Sequence, residues 1–135
     1  MLLLDTNIAI ALSKDQPPSL RLRLERARAS REELVLSSVV AFELWAGAFR
    51  SQRRQENSAR VEALLCAFAI LPFDAEDAIT AAEIRSHLAA SGKPIGPYDL
   101  LIAAQALRRD ALLITANTAE FARVPHLRCE DWTHP

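Results

Sequence analysis

The stretch Met1-Leu2-Leu3-Leu4-Asp5-Thr6-Asn7 decides the fold. Its first four residues are continuously apolar, as strands buried on both faces of a parallel sheet tend to be. An acid closes the run, and Thr6 and Asn7 can cap a helix from Ile8 to about Ser13. The same grammar recurs downstream. Leu34-Val35-Leu36 reads as a short strand, and Ser38 can cap a helix over about Val39 to Arg53. Ile70-Leu71 starts another strand that Pro72 ends. Leu112-Leu113-Ile114-Thr115 is a further parallel-strand candidate, and Leu127-Arg128-Cys129 an edge strand. Strands alternating with helices predict an α/β protein with a mostly parallel sheet.

The remaining segments read as helices. Ser19 to about Ser30 has Leu20 and Leu24 as its packing residues, and Asn57 to Phe68 follows a polar turn. Ala75 to Ser91 has Asp74 as N-cap and Gly92 as its stop. Pro97 to Arg109 opens on a proline suited to the first helical position. In the helix after Ser38, Phe42, Trp45, Ala46 and Phe49 fall at i, i+3, i+4 and i+7, a predicted core stripe. Glu43, Gly47, Arg50 and Arg54 form the neighbouring stripe, where Gly47 lets a backbone or ligand come close.

The 135 residues suit one domain, with no repeat, linker or low-complexity tract. Half the chain is hydrophobic and the net charge is −1, which excludes a globally disordered chain and a uniformly basic nucleic-acid glove. The basic residues are 14 Arg and 2 Lys, a skew that suits phosphate contacts and equally reflects genome composition. Cys66 and Cys129 lie far apart without a CxxC pattern, and are expected to be buried thiols in a reducing cytosol. With His87, His126 and His134 they give no zinc spacing. No run reaches the roughly 20 apolar residues of a membrane span. A cytoplasmic location is the expectation.

Three acids sit where a sequence seeking only stability would not put them: Asp5 at a strand end, Glu43 inside an apolar helix start, and Asp99 in the first turn of another. Few cations lie near them in sequence. Buried acids are normally paired or bind metal, and in parallel sheets ligands gather at the carboxyl ends of strands. Thr115 and Asn117 fall at a second such end, so these positions can converge. Asp and Glu without Cys or His suit Mg²⁺ or Mn²⁺. Each residue also has a plainer reading. Asp5 can cap a helix, Asp99 can answer the helix dipole, Glu43 can pair with a distant Arg, and Asn117 can make a turn. An aspartyl-phosphate phosphatase would want a second acid where Asn7 stands. The only glycines, Gly47, Gly92 and Gly96, spell no phosphate-loop fingerprint.

At these residues the chain resembles PIN domains, in particular the ribonuclease toxins of VapBC-type toxin–antitoxin systems. The likeness runs through Leu2–Asn7, Ser37–Leu44, Gly96–Leu107 and Leu112–Leu127, in order along nearly the whole chain. It implies a three-layer PIN-like fold over residues 1–135 and an endoribonuclease dependent on Mg²⁺ or Mn²⁺, acting on tRNA or rRNA. It implies Asp5 and Asp99 as metal ligands and Glu43 as the third acid. The fourth family position falls on Asn117, which removes one charge and weakens a second metal site. Thr115 is then a hydroxyl near the site and Asn7 an amide steadying an acid. Arg50, Arg53 and Arg54 form a candidate RNA rim, and equally a solvated helix end. A VapB-type antitoxin is implied as partner, with the segment Leu20–Ala48 as its groove, and a homodimer or toxin–antitoxin hetero-oligomer as the assembly. A DNA- or flap-directed nuclease on the same pocket and a non-catalytic binding module are the rival readings.

Overall fold

A computed structural model describes all residues, Met1–Pro135. β1 (Leu2–Leu4) is the central strand, and Leu3 and Leu4 have no solvent contact. Its neighbours are β2 (Leu34–Ser37) on one side and β4 (Leu112–Ile114) on the other, with Leu3 opposite Val35 and Leu113. β3 (Ala69–Leu71) and β5 (Arg128–Glu130) form the edges, giving the order β3-β2-β1-β4-β5 with every pair parallel. Seven helices make the crossovers: α1 (Thr6–Ser13), α2 (Pro18–Ala29), α3 (Ser38–Arg50), α4 (Arg54–Cys66), α5 (Ala75–Ala90), α6 (Pro97–Arg108) and α7 (Thr118–Phe121). They cover both faces of the sheet around a single core of 30 buried apolar residues. None is long and apolar enough to cross a membrane.

Side-chain caps set the starts of α1, α3 and α5, in the first two cases earlier than the sequence suggests. Asp5 itself caps α1, its Oδ1 accepting the Ile8 N–H at 2.9 Å, so Thr6 and Asn7 are already helical. Ser37 caps α3 through the Val39 N–H, while the Ser38 hydroxyl accepts the Phe73 N–H. α5 starts with a reciprocal capping box between Asp74 and Asp77. Gly92, at φ 68°, ends it in the left-handed region where glycine is favoured.

Two expectations fail, the first in part. The predicted core stripe of α3 holds only in part: Trp45 packs half-buried against the core, but Phe42 is 53% and Phe49 47% exposed, and the fully buried residues are Val39, Val40, Leu44 and Ala48. This helix is apolar nearly all round, and the smaller set lets it lie close to α1, α4 and the sheet. The thiols are not buried either. Cys66 is exposed at the end of α4, and Cys129 is half-buried on the edge strand.

One buried ion-pair network clamps α5 to α6. Asp77 has no solvent contact and takes Arg108 Nη1 at 2.6 Å and Arg109 Nη1 at 2.8 Å. Burial pushes its carboxyl up. The two guanidiniums and the Asp74 N–H more than offset this and hold it at about 2.

Candidate active site

The carboxyl edge of the sheet collects the chain's misplaced acids. Asp5 leaves the end of β1 and is only 4% exposed. Both its oxygens are held: Oδ1 by the Ile8 N–H, and Oδ2 by the Thr115 hydroxyl at 2.5 Å from the end of β4. Burial raises its pKa above the ordinary carboxylate value. The two hydrogen bonds oppose that, and the charges of Glu43 and Asp131 add to it. An ionised carboxylate offers about four lone-pair sites, so Asp5 keeps acceptor capacity toward the cleft.

Glu43 comes from the second turn of α3, where Thr6 donates a hydrogen bond to its Oε1 at 2.7 Å. Thr6 thus does for Glu43 what the sequence reading gave to Asn7. Asn7 is exposed, and its amide holds no acid. Asp99 stands in the first turn of α6, half-buried, and its carboxylate accepts no hydrogen bond. Its pKa is pushed up to about 6, first by burial and then by the charges of Glu120, Asp5 and Glu43. Asp5, Glu43 and Asp99 thus lie within electrostatic reach of one another.

Glu120, on α7, is the acid the sequence reading missed. Its Oε1 accepts the Gly96 N–H at 2.8 Å, and its Oε2 accepts the Asn117 side-chain amide. Asn117 is anchored in turn by its own N–H on the Thr115 hydroxyl at 2.9 Å. Asn117 therefore positions an acid three residues on. The capping-box spacing from Asn117 to Glu120 was the available signal, although Glu120 meets the Asn117 side chain and the Gly96 N–H, not the backbone N–H of its cap. Gly96 is also close to Asp99: a Cβ there would stand 3.2 Å from Asp99 Oδ2.

The candidate basic rim lies at the far end of α3 and the start of α4. Arg50, Arg53 and Arg54 are exposed, Arg53 lies 3.7 Å from Glu56, and the Arg54 guanidinium sits 4.3 Å from the Phe49 ring centroid. The groove that opens beside Glu43 runs elsewhere, between α1, α3 and α4. Its floor includes Ile10, Leu44 and Val61, its cations are Lys14 and Arg60, and Gly47 leaves it open space. Of the segment Leu20–Ala48, only the Glu43–Ala48 part lines it.

These donors are all oxygens, and they carry more negative charge than the protein neutralises. Their charges reach one another, yet no three His, Cys, Asp or Glu side chains form a preformed metal cage. An array of this kind fits a hard divalent cation, which favours carboxylate oxygens and would relieve the repulsion that lifts Asp99.

A model of the PIN domain matches residues 2–127. The chain is 40% identical over 131 residues to the tRNA(fMet)-specific endonuclease VapC of Shigella flexneri, covering 97% of each chain. It is 35% identical over 130 residues to ribonuclease VapC2 of Rickettsia felis, covering 96% of each. Its fold superposes with a TM-score of 0.90 on a chain of the DNA-bound VapBC structure from Salmonella typhimurium, at 37% identity and 97% coverage of both chains. The chain belongs to the PIN-domain family and, within it, to the VapC group.

Proposed function

We propose that the protein is a divalent-metal-dependent endoribonuclease, the toxin of a toxin–antitoxin pair, with a transfer RNA as substrate. The observation that carries this reading is Asp99, a carboxylate with no hydrogen bond whose ionised form is opposed by three other acids at the sheet's carboxyl edge. A relative at 40% identity bears the name of a tRNA(fMet)-specific endonuclease, which makes tRNA(fMet) the first substrate to test. Structural neighbours are complexes of VapC with VapB, so an antitoxin is the proposed partner. The groove between α1, α3 and α4 mixes apolar residues (Ile10, Leu44, Val61, Leu64) with Glu43, Lys14 and Arg60, and suits an amphipathic segment.

Asp5 and Asp99 would hold Mg²⁺ or Mn²⁺, with Glu43 beside them. Such an ion, when bound, neutralises charge on the scissile phosphate and acidifies water. Thr115 aims Asp5 by donating to Oδ2 and opposes the burial that favours its protonated form. Thr6 fixes one oxygen of Glu43 and leaves the other free to align the attacking water and take its proton. The new P–O bond forms as the bond to the 3′ oxygen breaks, giving a 5′-phosphate and a 3′-hydroxyl that takes its proton from solvent. Glu120, held by Gly96 and Asn117, adds negative charge beside Asp99, which raises the Asp99 pKa and would equally favour a cation that takes the proton's place.

The test is cleavage of purified tRNA(fMet) with Mg²⁺ or Mn²⁺, followed by mapping of the new 5′ ends. Cleavage abolished by EDTA and by Asp99→Asn is the expected result. Equal cleavage by Asp99→Asn, or cleavage insensitive to EDTA, would discard the assignment.

A further inference from the structure

The outward stripe of α3 uses a large share of a small aromatic inventory. The chain has eight Phe, Tyr and Trp residues. Four of them, Phe42, Trp45, Phe49 and Tyr98, form two ring pairs over α3 and the start of α6. Phe42 and Tyr98 lie 5.5 Å apart between centroids, tilted by 54°, and Trp45 and Phe49 lie 5.6 Å apart, tilted by 35°. Phe42, Phe49 and Tyr98 (43%) are among the most exposed large hydrophobic residues of the molecule. Burying Phe42 and Phe49 against the sheet would have favoured folding, yet α3 turns them to solvent.

The placement of the rings relates them to the acids. Phe42 directly precedes Glu43, and Tyr98 directly precedes Asp99. From Phe42 to Phe49 the helix rises about 10 Å, and Arg54 then lies over the Phe49 ring. Arg50 and Arg54 form no ion pair with any carboxylate. The ridge thus runs from an acidic end to a cationic end.

We propose that this ridge, Tyr98–Phe42–Trp45–Phe49 with Arg54 at its end, is a stacking track that leads unpaired RNA to the acids. The inference rests on the ribonuclease reading and names how the same site holds its substrate. An array of acids repels phosphates, and cations placed among those acids would quench them. Contacts blind to phosphate charge resolve the conflict: bases stack on aromatic rings and on guanidinium planes, and the phosphates find free cations further along. Two ring pairs match the two or three bases that aromatic platforms hold. The track selects unpaired nucleotides, because a paired base offers no free face. The scissile bond is therefore in a loop or single-stranded segment.

The probe is a short single-stranded oligoribonucleotide carrying 2-aminopurine, titrated in EDTA so that no cleavage occurs. Wild-type protein quenches its fluorescence on binding. Phe42→Leu and Tyr98→Leu, apolar changes at exposed positions, weaken binding by about 5- to 100-fold each, while Phe42→Trp retains it. Circular dichroism and thermal melting of each variant confirm the fold. Absence of quenching by the wild type, or unchanged affinity in both Leu variants, overturns the track. So does the result that Phe42→Asp converts a dimer to a monomer in sedimentation while RNA affinity stays the same, which assigns the ridge to a second copy of the chain. Metal-dependent RNA cleavage without quenching removes the track alone. Quenching without cleavage of any RNA removes the ribonuclease reading alone.

Discussion

Asp99→Asn should make the metal-free protein more stable while removing its activity. The rise of the Asp99 pKa from 3.8 to about 6 corresponds to about 3 kcal/mol between its charge states. Because the folded state holds this proton more tightly than the unfolded chain does, stability falls as pH rises from about 4 to about 6. Below that window both states are protonated and the penalty is absent. Asp99 keeps some water contact, which reduces the penalty, and its first-turn position returns about 0.3–1 kcal/mol through the helix dipole. Asparagine forfeits the second effect and escapes the first. Since the carboxylate accepts no hydrogen bond, no partner is orphaned. The net expectation is a gain of about 1–2 kcal/mol at pH 7.5, after both opposing effects. Urea unfolding in EDTA at pH 7.5 and pH 4 measures it. The reasoning is refuted if the variant is no more stable than wild type at pH 7.5, or if the gap between them is the same at both pH values.

Three further outcomes follow from the same geometry. Glu120→Gln removes the largest charge acting on Asp99, so the Asp99 pKa drops below about 6; carboxyl NMR titration of wild type and variant reads this directly. Thr115→Val keeps the shape but leaves the buried Asp5 Oδ2 without its donor and the Asn117 N–H without its acceptor, and should cost about 1–3 kcal/mol at neutral pH in urea unfolding; an unchanged midpoint would contradict the role of this hydroxyl. Arg109→Met removes one of the two guanidiniums on Asp77, leaving Arg108, and should cost about 1.5–3 kcal/mol. Because the Asp77 pKa is depressed to about 2, its contribution exists above pH 4 and fades as pH falls toward 2. The destabilisation by Arg109→Met should therefore shrink in acid.

Much of this architecture was legible because single residues carried single meanings. An unbroken apolar run at Leu2–Leu4 had one good place, the middle of a parallel sheet, and Asp74, Gly92 and Pro97 each marked a helix boundary by local chemistry. Asp5, Glu43 and Asp99 stood out because their neighbours were apolar. The orientation of α3 was not legible, since periodicity ranks faces by hydrophobicity and that helix has two apolar faces. Packing chose the one whose smaller side chains allow a close approach, leaving Phe42 and Phe49 outside. Glu120 was hidden for the opposite reason: in a short polar helix one more acid carries no contrast. The hydroxyls of Thr6 and Thr115 acquire their roles from partners 37 and 110 residues away, which only the folded chain brings together.

The measurement that addresses the acids most directly is calorimetric titration of Mn²⁺ into the metal-free protein between pH 5 and pH 7.5. Saturable uptake at pH 7.5 is the predicted result, weakening as pH falls through about 6, with release of a proton there and loss of binding in Asp99→Asn. Uptake of equal strength by Asp99→Asn, or affinity indifferent to pH across that range, would show that these carboxylates do not form the cation site.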